Sequence, residues 1–152
     1  MKNEDAFNAY LSKELKKLAP EFKVLKLCEK YHIGVSDFML IRGGAACFFE
    51  TKFLRDDPFK TAGQVLKHPF SGAQMTFLKS MRRAGAMSYG VVYHDYSDLI
   101  WVYEVCDLPE RGNWFSHEFG WQGHSFARKD ILGLANHLMH PPKLLREGPS
   151  LD

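Results

Sequence analysis

From Glu4 to Leu18 the apolar residues Phe7, Tyr10, Leu11, Leu15 and Leu18 recur at the spacing of one helix face, and Pro20 closes the run. Lys23 to Cys28 alternates imperfectly between charged and aliphatic positions and predicts a short strand. Two more strands are expected over Val35 to Arg42 and Ala45 to Lys52, joined at Gly43-Gly44, a pair suited to a two-residue hairpin turn. From Phe53 to Phe70 the pattern dissolves into Arg55-Asp56-Asp57-Pro58 and His68-Pro69, and a connection of that length points to a binding loop. Ser71-Gly72-Ala73-Gln74 has the form of a capping box, with Met75, Leu78 and Met81 following on one face, so a helix is expected up to Ala84 before Gly85. Tyr89 to His94 and Leu99 to Cys106 predict a second hairpin around Asp95-Tyr96-Ser97-Asp98. Ser125 to His140 predicts a last helix stopped by Pro141-Pro142, and the tail from Lys143 is expected to be loosely held.

The resulting order, αβββαββα, is of the α/β (α+β) class, a mixed β-sheet flanked by helices. A helix-bearing connection between the Glu50 strand and the Tyr89 strand makes those two parallel, with a right-handed crossover, while the hairpins are antiparallel. At 152 residues, without an internal repeat, the expectation is one domain over residues 1–142 and a tail over 143–152. No apolar run approaches the ~20 residues of a membrane span, and Met1-Lys2-Asn3-Glu4-Asp5 lacks the apolar core of a signal peptide, so cytoplasmic residence without a membrane partner is expected. Cys28, Cys47 and Cys106 are odd in number and far apart, which argues for reduced thiols. A net charge of +2 implies no polyanion by itself, so any such site must come from local clustering.

Candidate chemistry concentrates in the first hairpin. Pairing symmetric about Gly43-Gly44 sets Arg42 against Ala45, Leu40 against Cys47 and Asp37 against Glu50, with opposed Cβ atoms about 4.5 to 5.5 Å apart. Like charges so placed repel unless something compensates them, and a divalent cation would. Strand alternation adds Lys52 on the side of Glu50 and sends Thr51 to the other. Carboxylate oxygens select Mg²⁺ or Mn²⁺, and the backbone carbonyl of Thr51 could complete the set of ligands. Such a centre suits phosphodiester hydrolysis, with Lys52 as a fixed positive charge beside the attacking water and Gln74 reaching water or phosphate from a helix N-terminus.

Each residue also has a blander explanation. Asp37 and Glu50 could sit at a solvated strand end, paired with Lys52 or Lys26; Gln74 is accounted for by capping; and Glu4, for which Glu14 is a rival, is accounted for by the helix dipole. Lys60, Lys67, Lys79, Arg82 and Arg83 are candidate phosphate contacts, although a basic helix face is commonly just solvated. His117, His124 and Cys106 match no compact zinc pattern. Trp114, Phe115, Phe119, Trp121 and Phe126 could stack on unpaired bases, with sheet-edge or dimer packing as the plainer reading.

An acidic residue entering one strand, Glu-x-Lys on the next, a preceding helix with an early Glu and a following helix with Gln in its first turn resemble the PD-(D/E)xK nuclease superfamily. Gly34-Val35-Ser36-Asp37, Phe49-Glu50-Thr51-Lys52 and Ser71-Gly72-Ala73-Gln74 are most similar to the VRR-NUC and RecU-type Holliday-junction-resolvase branches. Ser36 stands where Pro is usual, and the likeness covers about the first two-thirds of the chain. It implies a restriction-endonuclease-like core, Asp37 and Glu50 as metal ligands, Lys52 as catalytic lysine, Gln74 as an auxiliary active-site residue and Glu4 as a helix-borne acid. The expected function is a metal-dependent, structure-specific DNA endonuclease acting on branched DNA, in which a four-way junction calls for two active sites and hence a homodimer. The alternatives are a VRR-NUC-like nuclease acting on flap or single-stranded DNA, and a catalytically silent nucleic-acid-binding or scaffold module.

Overall fold

A computed structural model describes residues 1–27, 35–56, 70–104 and 123–140. Helix α1 spans Glu4–Lys16; strands β1, β2 and β3 span Lys23–Lys26, Phe38–Arg42 and Ala45–Leu54; α2 spans Gly72–Arg83; β4, β5 and β6 span Met87–His94, Leu99–Glu104 and His124–Ala127; α3 spans Ile131–Leu138. The strands form one mixed sheet in the order β1-β2-β3-β4-β5-β6. Neighbours are antiparallel except β3 and β4, which run parallel across the α2 connection. The α+β class and the parallel central pair are as expected.

One expectation needs correction. Ser125–Ala127 is strand rather than the start of the last helix, and Phe126 pairs with Ile100 on β5. The helix begins after Asp130, whose side chain accepts from the Gly133 N–H at 3.0 Å and so caps it. The element order therefore gains a strand before α3.

Alternation along the strands sorts the sheet into two faces. On one, Phe7, Leu11 and Leu15 of α1 and Ile131, Leu134 and Leu138 of α3 pack on Leu40, Phe49, Tyr89, Val91 and Tyr93. On the other, Met75 and Leu78 of α2 pack with Phe70 against Val92 and Tyr103. Phe38 and Phe49 stack across the hairpin with ring centroids 5.1 Å apart. Burial of each such side chain contributes about 1.5 to 3 kcal/mol. Helix α1 is set by Asn3, whose Oδ1 accepts from the Ala6 N–H at 2.9 Å, by Glu4 and Asp5 in its first turn, and by Lys13 and Lys16 in its last.

The hairpin turn sets the register of the strands on either side of it. Gly43 and Gly44 have φ of 56° and 80°, the left-handed pair that a primed turn requires. The pairing Arg42↔Ala45, Leu40↔Cys47 and Phe38↔Phe49 matches the symmetric register. The β2–β3 ladder stops at Phe38 and Phe49, while β3 runs on beside β4 as far as Leu54. The Asp37 carbonyl turns to β1's flank, accepting from the Leu27 N–H at 2.8 Å. The sheet thus opens beside Glu50, Thr51 and Lys52.

At the far edge, the His137 ring lies 4.5 Å from His124, 5.3 Å from Phe126 and 6.1 Å from His140, centroid to centroid. Burial, with charge from His124 and His140, pushes His137 down to about 4. Its folded-state value lies below its unfolded one, so the stability tied to neutral His137 is complete above pH 6.5 and is lost as pH falls from there through about 4. His137→Gln is therefore expected to flatten the fall in thermal midpoint across that window. A fall as steep as the wild type's would refute this.

Candidate active site

The opening in the sheet gathers side chains from four elements. Asp37 lies one residue beyond β2, and continuing the register from Phe38↔Phe49 sets it opposite Glu50. Glu50 is 1% exposed. Its Oε2 accepts from the Asp37 N–H at 3.2 Å, and its Oε1 accepts from Gln74 Nε2 at 2.5 Å. Lys52 Nζ lies 3.8 Å from Glu50 Oε1 and 3.7 Å from Glu4 Oε1, and the Lys52 side chain is 18% exposed. Glu50, Lys52 and the N-terminus of α2 share one face of the sheet, with Glu4 arriving from the first turn of α1.

The chain itself supplies much of the compensation that two opposed acids need. Asp37 Oδ2 accepts two hydrogen bonds from Thr51, from its N–H at 2.9 Å and its hydroxyl at 2.8 Å. Both are charge-assisted, roughly twice as strong as neutral ones. Among the described residues nothing donates to Asp37 Oδ1. The Thr51 N–H is thereby turned toward the β2 side, and in a strand the C=O of a residue points to the same side as its N–H. The Thr51 carbonyl therefore faces the gap where the β2 ladder has ended.

Gln74 has two partners because an amide has two ends. Its Oε1 accepts from the Ser71 N–H at 2.8 Å while the Ser71 hydroxyl accepts from the Gln74 N–H at 3.1 Å, a complete capping box. Its Nε2 is left to donate to Glu50. Capping and site contact are both present, and the cap orients the amide toward the carboxylate. Burial pushes the Glu4 carboxyl above its ordinary value; the Lys52 charge opposes the rise and the Asp37 charge adds to it.

Asp37, Glu50, Thr51, Lys52, Gln74 and Glu4 are thus brought together. The proposed phosphate contacts fare differently. Lys60 and Lys67 lie outside the described residues, as do His117, Cys28, Cys106, Trp114, Phe115, Phe119 and Trp121. Arg82 is 10% exposed and lies 3.7 Å from Glu104 of β5, so it ties α2 to the sheet. Arg83 is exposed and Lys79 half-buried, at the end of α2 remote from Gln74. Phe126 packs against the core instead of standing free for stacking.

Two features escaped the sequence reading. Asn8 of α1 reaches the Thr51 hydroxyl from the opposite face of the sheet. Gly90, paired with Glu50 on β4, leaves room for the Phe70 ring, which a Cβ there would meet at 2.6 Å. Phe70 itself is buried with Met75, Leu78, Val92 and Tyr103. A glycine inside a strand is the signal for such close approach.

The donors suit a cation that takes oxygen ligands. Among the described residues no group of three His, Cys, Asp or Glu side chains is placed to hold an ion. Two carboxylates, a backbone carbonyl and water are the kind of set that Mg²⁺ accepts, since it keeps several waters and takes one or two carboxylates. The set contains no thiolate or imidazole of the sort a structural zinc site uses.

No protein-family model matches the chain, and no curated protein matches it in sequence. Its fold is similar to that of a solved structure, Hjc, a Holliday junction resolvase from the archaeal hyperthermophile Archaeoglobus fulgidus. The TM-score is 0.54 at 15% identity, over 86% of this chain and 98% of that one. The six-stranded α+β sheet described above is thus a fold shared with a resolvase across nearly the whole of that protein. Among the described residues no helix is long and apolar enough to cross a membrane.

Proposed function

We propose that this protein is a cytoplasmic, metal-dependent endodeoxyribonuclease of the PD-(D/E)xK kind, related to junction-resolving enzymes and cutting branched DNA. The observation that carries the reading is the meeting of Asp37, Glu50 and Lys52 where β2 leaves β3, with Lys52 Nζ 3.8 Å from Glu50 and Gln74 2.5 Å from it. The fold shared with a resolvase supports it. Asp37, Glu50 and the Thr51 carbonyl would hold Mg²⁺ or Mn²⁺, which when bound supplies a polarised water and neutralises charge on the scissile phosphate. Lys52 stabilises the charge that builds on the phosphoryl oxygens and orients the attacking water. Gln74, held by its capping box, fixes the Glu50 carboxylate, and the free N–H groups of the first turn of α2 favour an anion nearby.

The described residues form one sheet with its flanking helices and hold no separate sequence-reading unit, which favours recognition of DNA shape and backbone. Lys79 and Arg83, with Lys60 and Lys67, are the proposed phosphate contacts, and bilateral cutting of a four-way junction requires a symmetric homodimer. Purified protein incubated with four-way junction, flap, single-stranded and linear duplex DNA, in Mg²⁺ or in chelator, tests the reading. Junction products that appear with Mg²⁺ and vanish with chelator are expected. Products confined to flap or single-stranded DNA would move the protein to the VRR-NUC-like branch. Binding without a metal-dependent product on any substrate would overturn the enzyme reading in favour of a binding module.

A further inference from the structure

Asn8 occupies a position that α1 would ordinarily give to an apolar residue. It lies between Phe7 and Leu11 on the buried stripe and is 6% exposed. A buried amide persists where it is hydrogen-bonded, and the side chain of Asn8 meets the Thr51 hydroxyl, itself fully buried. Thr51 belongs to the same sheet face as Phe49, so the contact crosses an otherwise apolar layer.

The polarity of this contact follows from counting protons. A hydroxyl has one proton to give, and Thr51 Oγ1 has two neighbours, the Asn8 amide and Asp37 Oδ2 at 2.8 Å. The carboxylate is the stronger acceptor. As placed, the Asn8 amide faces Oγ1 with its Oδ1, but the single hydroxyl proton goes to Asp37, so we assign the amide the flipped orientation, with its NH₂ donating to Oγ1. The chain then runs from Asn8 N–H to Thr51 Oγ1, and from Thr51 O–H to Asp37 Oδ2, beside the Thr51 N–H already on Oδ2 at 2.9 Å. Both donors fall on one oxygen. The carboxylate cannot rotate without losing them, which leaves Oδ1 as the oxygen that no described residue donates to.

We propose that Asn8, acting through the Thr51 hydroxyl, is a positioning residue that locks the Asp37 carboxylate in the orientation that binds the divalent ion. The inference rests on the metal-centre reading above and adds to it a support that crosses the sheet from α1. Partners that orient a metal ligand without touching the ion typically affect affinity by about 10- to 100-fold.

The test is calorimetric Mn²⁺ titration of metal-free wild type, Thr51→Val, Thr51→Ser, Asn8→Leu and Asp37→Ala, each with its thermal midpoint. Thr51→Val keeps the side-chain shape and removes the hydroxyl; Thr51→Ser keeps the hydroxyl. Mn²⁺ affinity is expected to fall about tenfold in Thr51→Val and Asn8→Leu and to stay near wild type in Thr51→Ser, without following the thermal midpoints. Unchanged affinity in Thr51→Val and Asn8→Leu, with Asp37→Ala impaired, overturns the positioning role and leaves the metal centre standing. Equal Mn²⁺ uptake by wild type and Asp37→Ala overturns both.

Discussion

Asp37→Asn is expected to lower Mg²⁺-dependent cleavage of branched DNA by about 10³-fold or more, some 4 kcal/mol of transition-state stabilisation, while leaving metal-independent binding of the same DNA intact. The substitution preserves volume, so the argument turns on hydrogen-bond polarity. Thr51 presents two donors to Oδ2. An asparagine must satisfy both with its carbonyl oxygen, which leaves its NH₂ at the Oδ1 position, where an ion needs a lone pair. The change therefore removes a charge and places donor hydrogens against the cation. Single-turnover assays at saturating DNA check this, and cleavage within tenfold of wild type would count against Asp37 as a ligand.

Lys52→Met should cost stability as well as chemistry. Glu50 is 1% exposed, and its charge is met by Lys52, Gln74 and the Asp37 N–H. Breaking a buried pair by deleting one partner typically costs about 3 to 5 kcal/mol. The Gln74 amide and the Asp37 N–H still donate to Glu50 and Lys52 is partly exposed, so the loss is expected at the lower end, about 3 kcal/mol. Neutralising the orphaned acid should recover most of it: Lys52→Met/Glu50→Gln is expected to be more stable than Lys52→Met alone. Urea unfolding in chelator compares the three proteins. A Lys52→Met protein as stable as wild type would show that Glu50 does not depend on that charge.

The parts of the site that were legible in the sequence are those set by local rules. Gly43-Gly44 defines the turn, the turn defines the register, and strand alternation carries Glu50 and Lys52 to one side. Ser71 and Gln74 were legible for the same reason, although the capping box alone did not show that the other end of the amide reaches Glu50. What was missed depends on partners distant in sequence. Asn8 is one polar residue in an apolar stripe, and its meaning lies 43 residues away at Thr51. Arg82 reads as one more basic residue on a helix face until Glu104 of β5 is found beside it. At Ser125–Ala127, Phe126 fits either period, and pairing with β5 decides for strand while Asp130 supplies the helix start.

The most direct test of the central claim is the anomalous scattering of Mn²⁺ in crystals of the protein soaked with that ion. The account predicts a peak about 2.1 Å from Asp37 Oδ1 and from a Glu50 oxygen, beside the Thr51 carbonyl, with Lys52 alongside but not ligating. Crystals with no peak between those two carboxylates at a Mn²⁺ concentration that supports cleavage would contradict it.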